Sequence, residues 1–225
     1  MPQLRQKEKF VMRIRYLKNT EEILLNSNFV IDDPTVMKGK WMESLKQEKQ
    51  GLCLEIGCGK GQFIRGMGRK HPEMLWIGDE KIGTILARAS GNLDEDIDKN
   101  VRLICWDAEK LDDIFAPGEI DRIYLNFSDP WPKDRHAKRR LTSERFLPIY
   151  ARLLTEEGYL QFKTDNDDLF AFSVESFKEH GWQILEITDD LHASSYVEGN
   201  VMTEYEQNFV SLGKNIHYLK AIPPR

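Results

Sequence analysis

Leu52-Cys-Leu-Glu-Ile-Gly-Cys-Gly-Lys-Gly61 joins a short apolar run to a stretch with glycine at every second position. The apolar half, bounded by turn residues, has the pattern of a buried strand. Gly57, Gly59 and Gly61 let the backbone turn sharply and approach a ligand with no Cβ in the way. Phe63 to Arg69 then reads as a helix, broken by His71-Pro72. A glycine turn between a strand and a helix opens an α/β unit.

The same alternation continues downstream. Met74–Ile77 reads as a second strand with a helix over Ile82–Ala89, and Val101–Cys105 and Ile120–Phe127 as the third and fourth strands. Ser143–Leu154 has helical periodicity, and Tyr159–Phe162 is a fifth strand. A helix over Asp168–His180 ends at Gly181, and Trp182–Ile187 is a sixth strand. Regular alternation predicts a Rossmann-like α/β fold, a mostly parallel sheet with helices on both faces. Right-handed crossovers place the loops after the strands along one edge, where ligands bind. Residues 1–48 read as a basic, helical extension and 49–225 as the domain proper, one domain overall.

Composition fits that picture. The chain has 225 residues, 40% hydrophobic and 31% charged, as a soluble globular domain does. No apolar run approaches the roughly 18 residues of a membrane span. Met1–Lys18 lacks the apolar core and cleavage site of a signal peptide, so a cytoplasmic location is expected. Cys53, Cys58 and Cys105 have no metal-ligand spacing and are expected as reduced thiols; no metal is expected. The net charge of −5 argues against nucleic acid, but its distribution does not. Arg5, Lys7, Lys9, Arg13, Arg15 and Lys18 face only Glu8 within their stretch, and Lys133, Arg135, Lys138, Arg139 and Arg140 face only Asp134. The acids lie mostly elsewhere, so two stretches suit a polyanion.

Three acids sit where a cofactor pocket needs them. The glycines run G-x-G-x-G, which is neither the dinucleotide fingerprint nor the phosphate-binding loop. Glu55, just before them, suits a ligand with a cationic amino-acid part. Gly78-Asp-Glu80 ends the second strand, where an acid accepts hydrogen bonds from ribose hydroxyls. Asp107, after the third strand, is placed to take the exocyclic amine of adenine. Together they describe an S-adenosyl-L-methionine pocket in a class I methyltransferase fold.

The loop after the fourth strand, Leu125-Asn-Phe-Ser-Asp-Pro-Trp-Pro-Lys133, faces the methyl group in such a fold. Pro130 and Pro132 stiffen it, Trp131 offers a stacking surface, and Asp129 an acceptor. From about Lys38-Gly-Lys-Trp41 to the C-terminus the chain resembles the bacterial tRNA (guanine-N7)-methyltransferases. The resemblance is carried by Leu54–Phe63, Tyr124–Lys133, Arg139-Arg-Leu141, Phe162-Lys-Thr-Asp-Asn166 and Met202-Thr-Glu-Tyr-Glu206 with Phe209. It implies that Glu55, Glu80, Asp107 and Asp129 line the cofactor pocket, with Asp129 also catalytic. It also implies that Lys133, Asp165, Thr203, Glu204, Tyr205 and Glu206 meet the substrate guanosine, usually position 46 of the tRNA variable loop. Arg135, Lys138, Arg139 and Arg140, with Arg13 and Arg15, are expected on tRNA phosphates. In one departure Asp79 precedes Glu80, where the family usually has an apolar residue.

Guanine N7 carries a lone pair and no proton at neutral pH, so the implied reaction needs alignment and negative potential but no general base. Rival readings are a methyltransferase for another acceptor, such as an adenine amine or a protein amide, and a non-catalytic tRNA-binding module. A nicotinamide oxidoreductase is disfavoured by the glycine spacing. Monomer and homodimer are equally compatible with the sequence.

Overall fold

The computed structural model describes residues 17–44 and 50–225. Its strands are β1 (Leu52–Ile56), β2 (Leu75–Asp79), β3 (Val101–Ile104), β4 (Ile120–Asn126), β5 (Leu154–Thr164), β6 (Gln183–Thr188) and β7 (His217–Ile222). They form one sheet in the order β3-β2-β1-β4-β5-β7-β6. The pairs from β3 to β5 are parallel, and β7 runs antiparallel to both its neighbours. Every residue of β1 and β2 is buried, which is why both read as mostly apolar runs, interrupted by Glu55 in β1 and closed by Asp79 in β2.

Alternate residues of β1 serve opposite faces. Leu52, Leu54 and Ile56 join a core with α4 (Leu147–Leu153) and α5 (Asp167–Glu179). Cys53 joins Trp76, Tyr124 and the Phe63, Ile64 and Met67 side chains of α2 (Gln62–Lys70). Leu86 and Ala89 of α3 (Gly83–Gly91) pack with Leu103. These helices leave the strand C-termini open on one edge, as right-handed crossovers require.

Residues 17–44 pack into the same body. α1 (Thr20–Leu25) lies beside α3, with the Thr20 and Thr84 hydroxyls 3.4 Å apart. Leu103 N donates to Phe29 O and Ile31 N to Leu103 O, so residues 29–31 extend the sheet past β3. Trp41 is fully buried, donates Nε1–H to Ile114 O at 2.7 Å and stacks on Phe115. Two elements lie outside what local patterning predicts: β7 and α6 (Glu204–Ser211). Among the described residues no helix is long and apolar enough to cross a membrane.

Candidate active site

The glycine turn after β1 is a cradle with space above it. Gly57 (φ +77°) and Gly59 (φ +57°) are left-handed, and a Cβ on either would meet nothing within 4 Å. Gly61 (φ +77°) differs, because a Cβ there would come within 3.3 Å of the Ala89 Cβ; it serves the packing of α2 against α3. Gly57 N and Cys58 N both donate to Asp79 O, at 2.8 and 2.9 Å. Glu80 straps the turn to α3, accepting from Gly59 N at 3.2 Å and Ile82 N at 2.9 Å.

The paired acids at the end of β2 thus separate. Glu80 faces the glycine turn. Asp79 accepts from Trp106 N at 3.1 Å and ties β2 to the segment after β3. Burial drives Asp79 well above the usual carboxylate range, against the pull of the Trp106 N–H. Asp107 caps the next turn through Glu109 N and pairs with Lys81 at 2.7 Å, and that Lys81 bond is the main cause of its lowered pKa. Lys81, Cys105, Trp106, Asp107 and Lys110 line a recess of about 220 Å³.

Glu55 lies at the floor of the crevice. It is 2% exposed; Oε1 accepts from Asn126 Nδ2 at 2.8 Å, and Oε2 has no partner among the described residues. Burial pushes its pKa up to about 7, opposed by the Asn126 bond and the Lys163 charge. Asn126 Oδ1 and Ser128 Oγ nearby are likewise buried without partners among the described residues. Buried polar atoms are rarely left unmet, so this end of β1 and β4 is built to receive polar groups.

The loop after β4 is strained. Phe127 (φ +53°) and Trp131 (φ +40°) are left-handed without being glycine, a conformation that costs about 1–3 kcal/mol per residue and collects at functional sites. Asp129 is exposed. Its charge adds to burial in raising Glu80, and to burial and Glu204 in raising Tyr205, so Asp129 lies near enough to both for its charge to reach them. Phe127 stacks on Tyr205, ring centroids 6.5 Å apart.

Beyond the loop, Lys133, Arg135, Lys138 and Arg139 are exposed. Lys138 pairs with Glu144, and Arg139 lies 4.9 Å over the Trp131 ring. Arg140 departs from the sequence expectation. It is 8% exposed, and its guanidinium donates to Pro130 O and Trp131 O, so it holds the loop instead of facing a phosphate. Arg13 and Arg15 lie outside the described residues.

Glu206 also departs from the sequence expectation. Thr203-Glu-Tyr-Glu206 forms a capping box: Thr203 Oγ1 accepts from Glu206 N at 2.9 Å and the Glu206 carboxylate reaches back to Thr203 N. Glu206 is fully buried, and it accepts from Lys163 Nζ (2.6 Å), Asn200 Nδ2 (2.6 Å) and His192 Nε2 (3.0 Å). No oxygen is left to face a guanosine. Glu204 and Tyr205 are exposed on the first turn of α6, and Glu204 clasps Lys60 of the glycine turn at 2.8 Å. Asp165 is paired with Lys214 at 2.9 Å. Lys163, Asn126, Lys60 and Asn200 therefore shape the site although spacing does not single them out. The one signal is a lysine inside an apolar strand.

Residues 49–219 match a protein-family model described as "Putative methyltransferase". The chain is 50% identical over 210 residues to a tRNA (guanine-N(7)-)-methyltransferase of Lachnoclostridium phytofermentans, covering 93% of this chain and 98% of that one. It is 42% identical over 207 residues to the protein of the same description from Bacillus subtilis, covering 92% and 96%. Among solved structures, the 16S rRNA methyltransferase KamB superposes with a TM-score of 0.59 at 14% identity, over 81% of this chain and 92% of that one. A 16S rRNA (adenine(1408)-N(1))-methyltransferase from Catenulisporales acidiphilia, solved with its cosubstrate SAM, gives 0.56 at 14% identity over 86% and 92%. At such identity the two structures speak to the fold alone.

Proposed function

Because the chain belongs to the tRNA (guanine-N7)-methyltransferase family, we propose that it methylates N7 of a guanosine in tRNA, at position 46, with S-adenosylmethionine as donor. The observation that carries the reading is the open glycine cradle flanked by the unpartnered Glu55 Oε2, with Asp129 near enough to Glu80 and Tyr205 for its charge to reach both. These residues fit the donor: an acid without a partner for its ammonium, Glu80 for its ribose, and the recess at Trp106 and Asp107 for its adenine. When bound, the donor supplies a methyl group on a cationic sulfur.

The protein's part is alignment and electrostatics. Glu80 and the glycine turn hold one reactant in register with the loop after β4. Asp129 places negative charge where the purine becomes cationic, and no side chain has to remove a proton from N7. Tyr205, backed by Phe127, offers a face for the base. Lys133, Arg135, Lys138 and Arg139 hold phosphates and so orient the RNA without reading its sequence. The chain with tRNA transcript and S-adenosylmethionine, followed by nucleoside analysis, is the test. 7-Methylguanosine supports the reading; a methylated adenosine, or no product, overturns it.

A further inference from the structure

We propose that Arg140 is a positioning residue for methyl transfer, a clamp on the backbone of the loop that carries Asp129. The proposal rests on reading that loop as the reaction loop. Arg140 stands at the end of a basic run, yet unlike its neighbours Lys138 and Arg139 it is buried. Its Nε–H donates to Pro130 O at 3.1 Å and its Nη2–H to Trp131 O at 3.2 Å. Those two carbonyls belong to the peptide groups on either side of the Trp131 Cα. One rigid guanidinium plane therefore fixes both peptide planes that set the Trp131 backbone angles.

That backbone needs holding. Trp131 sits at φ +40°, where the Cβ of an L-residue crowds its own carbonyl and nothing local favours staying. The face of the clamp lies 4.3 Å over the Phe172 ring of α5, which itself packs against the main core. Arg140's own backbone is anchored at both ends, its N–H to Ala137 O and its carbonyl to Ser143 N. No carboxylate lies within 4.0 Å of the guanidinium among the described residues, so carbonyl dipoles and a ring face meet its charge. A helix of the core is thus linked through one side chain to a point two residues from Asp129.

Arginine suits the task as lysine does not. A planar fork donates two directed bonds at a fixed angle, whereas an ammonium is a point donor on a flexible stem. The clamp and a phosphate-binding role predict opposite results. If Arg140 bound a phosphate, Arg140→Ala would lower the slope of log affinity against log salt by about 0.7–0.9. If Arg140 is the clamp, Arg140→Ala and Arg140→Lys leave that slope unchanged. Both then lower kcat at saturating donor and tRNA, on the order of 10²-fold for a displacement near 1 Å.

The experiment measures tRNA affinity against salt, kcat and KM, and melting temperature for wild type, Arg140→Lys, Arg140→Ala and Arg139→Ala. Arg139→Ala should show the slope loss and serve as the phosphate control. An Arg140→Lys variant that melts like wild type yet loses kcat with little change in KM supports the clamp, and charge is then not the variable. Full kcat in Arg140→Lys, or a slope loss in Arg140→Ala, overturns it. A wild type that forms no 7-methylguanosine overturns the functional reading itself, which keeps the two failures apart.

Discussion

Glu55→Gln keeps the size of the side chain and removes one proton equilibrium from the crevice. In the free protein burial holds Glu55 near pKa 7 instead of its ordinary 4.5. At pH 6 it is therefore mostly neutral, and a ligand that brings an ammonium to the unpartnered Oε2 must first expel the proton. Affinity for S-adenosylmethionine should fall as pH drops below 7, approaching tenfold per pH unit, about 1.4 kcal/mol. Between pH 7 and pH 5 the loss is up to about 50-fold, and well above pH 7 Glu55 adds little further dependence. The amino group of the ligand titrates near 7.7–8.0 by itself, so the ratio of wild type to Glu55→Gln is the quantity to follow. Calorimetry at about pH 6 in two buffers of different ionisation enthalpy should show close to one proton released by wild type and none by Glu55→Gln. Stability has the matching sign. A carboxyl raised on folding stabilises below its unfolded pKa and loses that contribution as pH rises through 7. Ligand-free Glu55→Gln should thus be the more stable protein at pH 8, by up to about 3 kcal/mol. An affinity ratio flat from about pH 5 to 7.5 would refute this reasoning, since Glu55 would then be ionised in the free protein or out of reach of the ligand's cation.

Lys163→Met leaves the buried Glu206 carboxylate without its cation, with only Asn200, His192 and the Thr203 N–H as partners. Breaking one side of such a pair destabilises by about 3–5 kcal/mol, and thermal melts should drop by about 6–20 °C for a chain of this size. An unchanged melt would show that the pair is not holding α6. Asp129→Asn keeps shape and removes negative potential; the single-turnover rate with both ligands saturating should fall by roughly 10²–10³. A near-wild-type rate would leave alignment alone to carry the reaction. Arg135→Ala combined with Arg139→Ala should flatten the salt dependence of tRNA binding, and an unaltered slope would remove this face from the RNA interface.

Much of the fold is legible because buried parallel strands announce themselves. β1 and β2 are largely apolar, and β1 runs directly into the turn glycines, so element order and the functional edge follow from spacing. β7 is not legible. His217-Tyr-Leu-Lys-Ala-Ile222 mixes a histidine and a lysine into the strand, and its antiparallel place between β5 and β6 comes from long-range pairing that no local pattern records. At the site, Glu55 stands out just before the glycine turn and Glu80 just after β2. Arg140 is misread because charge in a run suggests exposure, and Glu206 because the resemblance assigns its whole segment to the substrate; only packing shows that both turn inward. The Thr-x-x-Glu spacing at Thr203 has a plain helix-capping meaning that a motif-led reading passes over.

Methyl transfer to N7, and to no other atom of the tRNA, is tested by two transcripts. One is ordinary; the other has 7-deazaguanosine at position 46, where a carbon replaces the nucleophilic nitrogen and the rest of the base keeps its shape. Release of S-adenosylhomocysteine in a single turnover is the measurement. The ordinary transcript should turn over and the substituted one should bind without reacting; methyl transfer to both at equal rates would contradict the account.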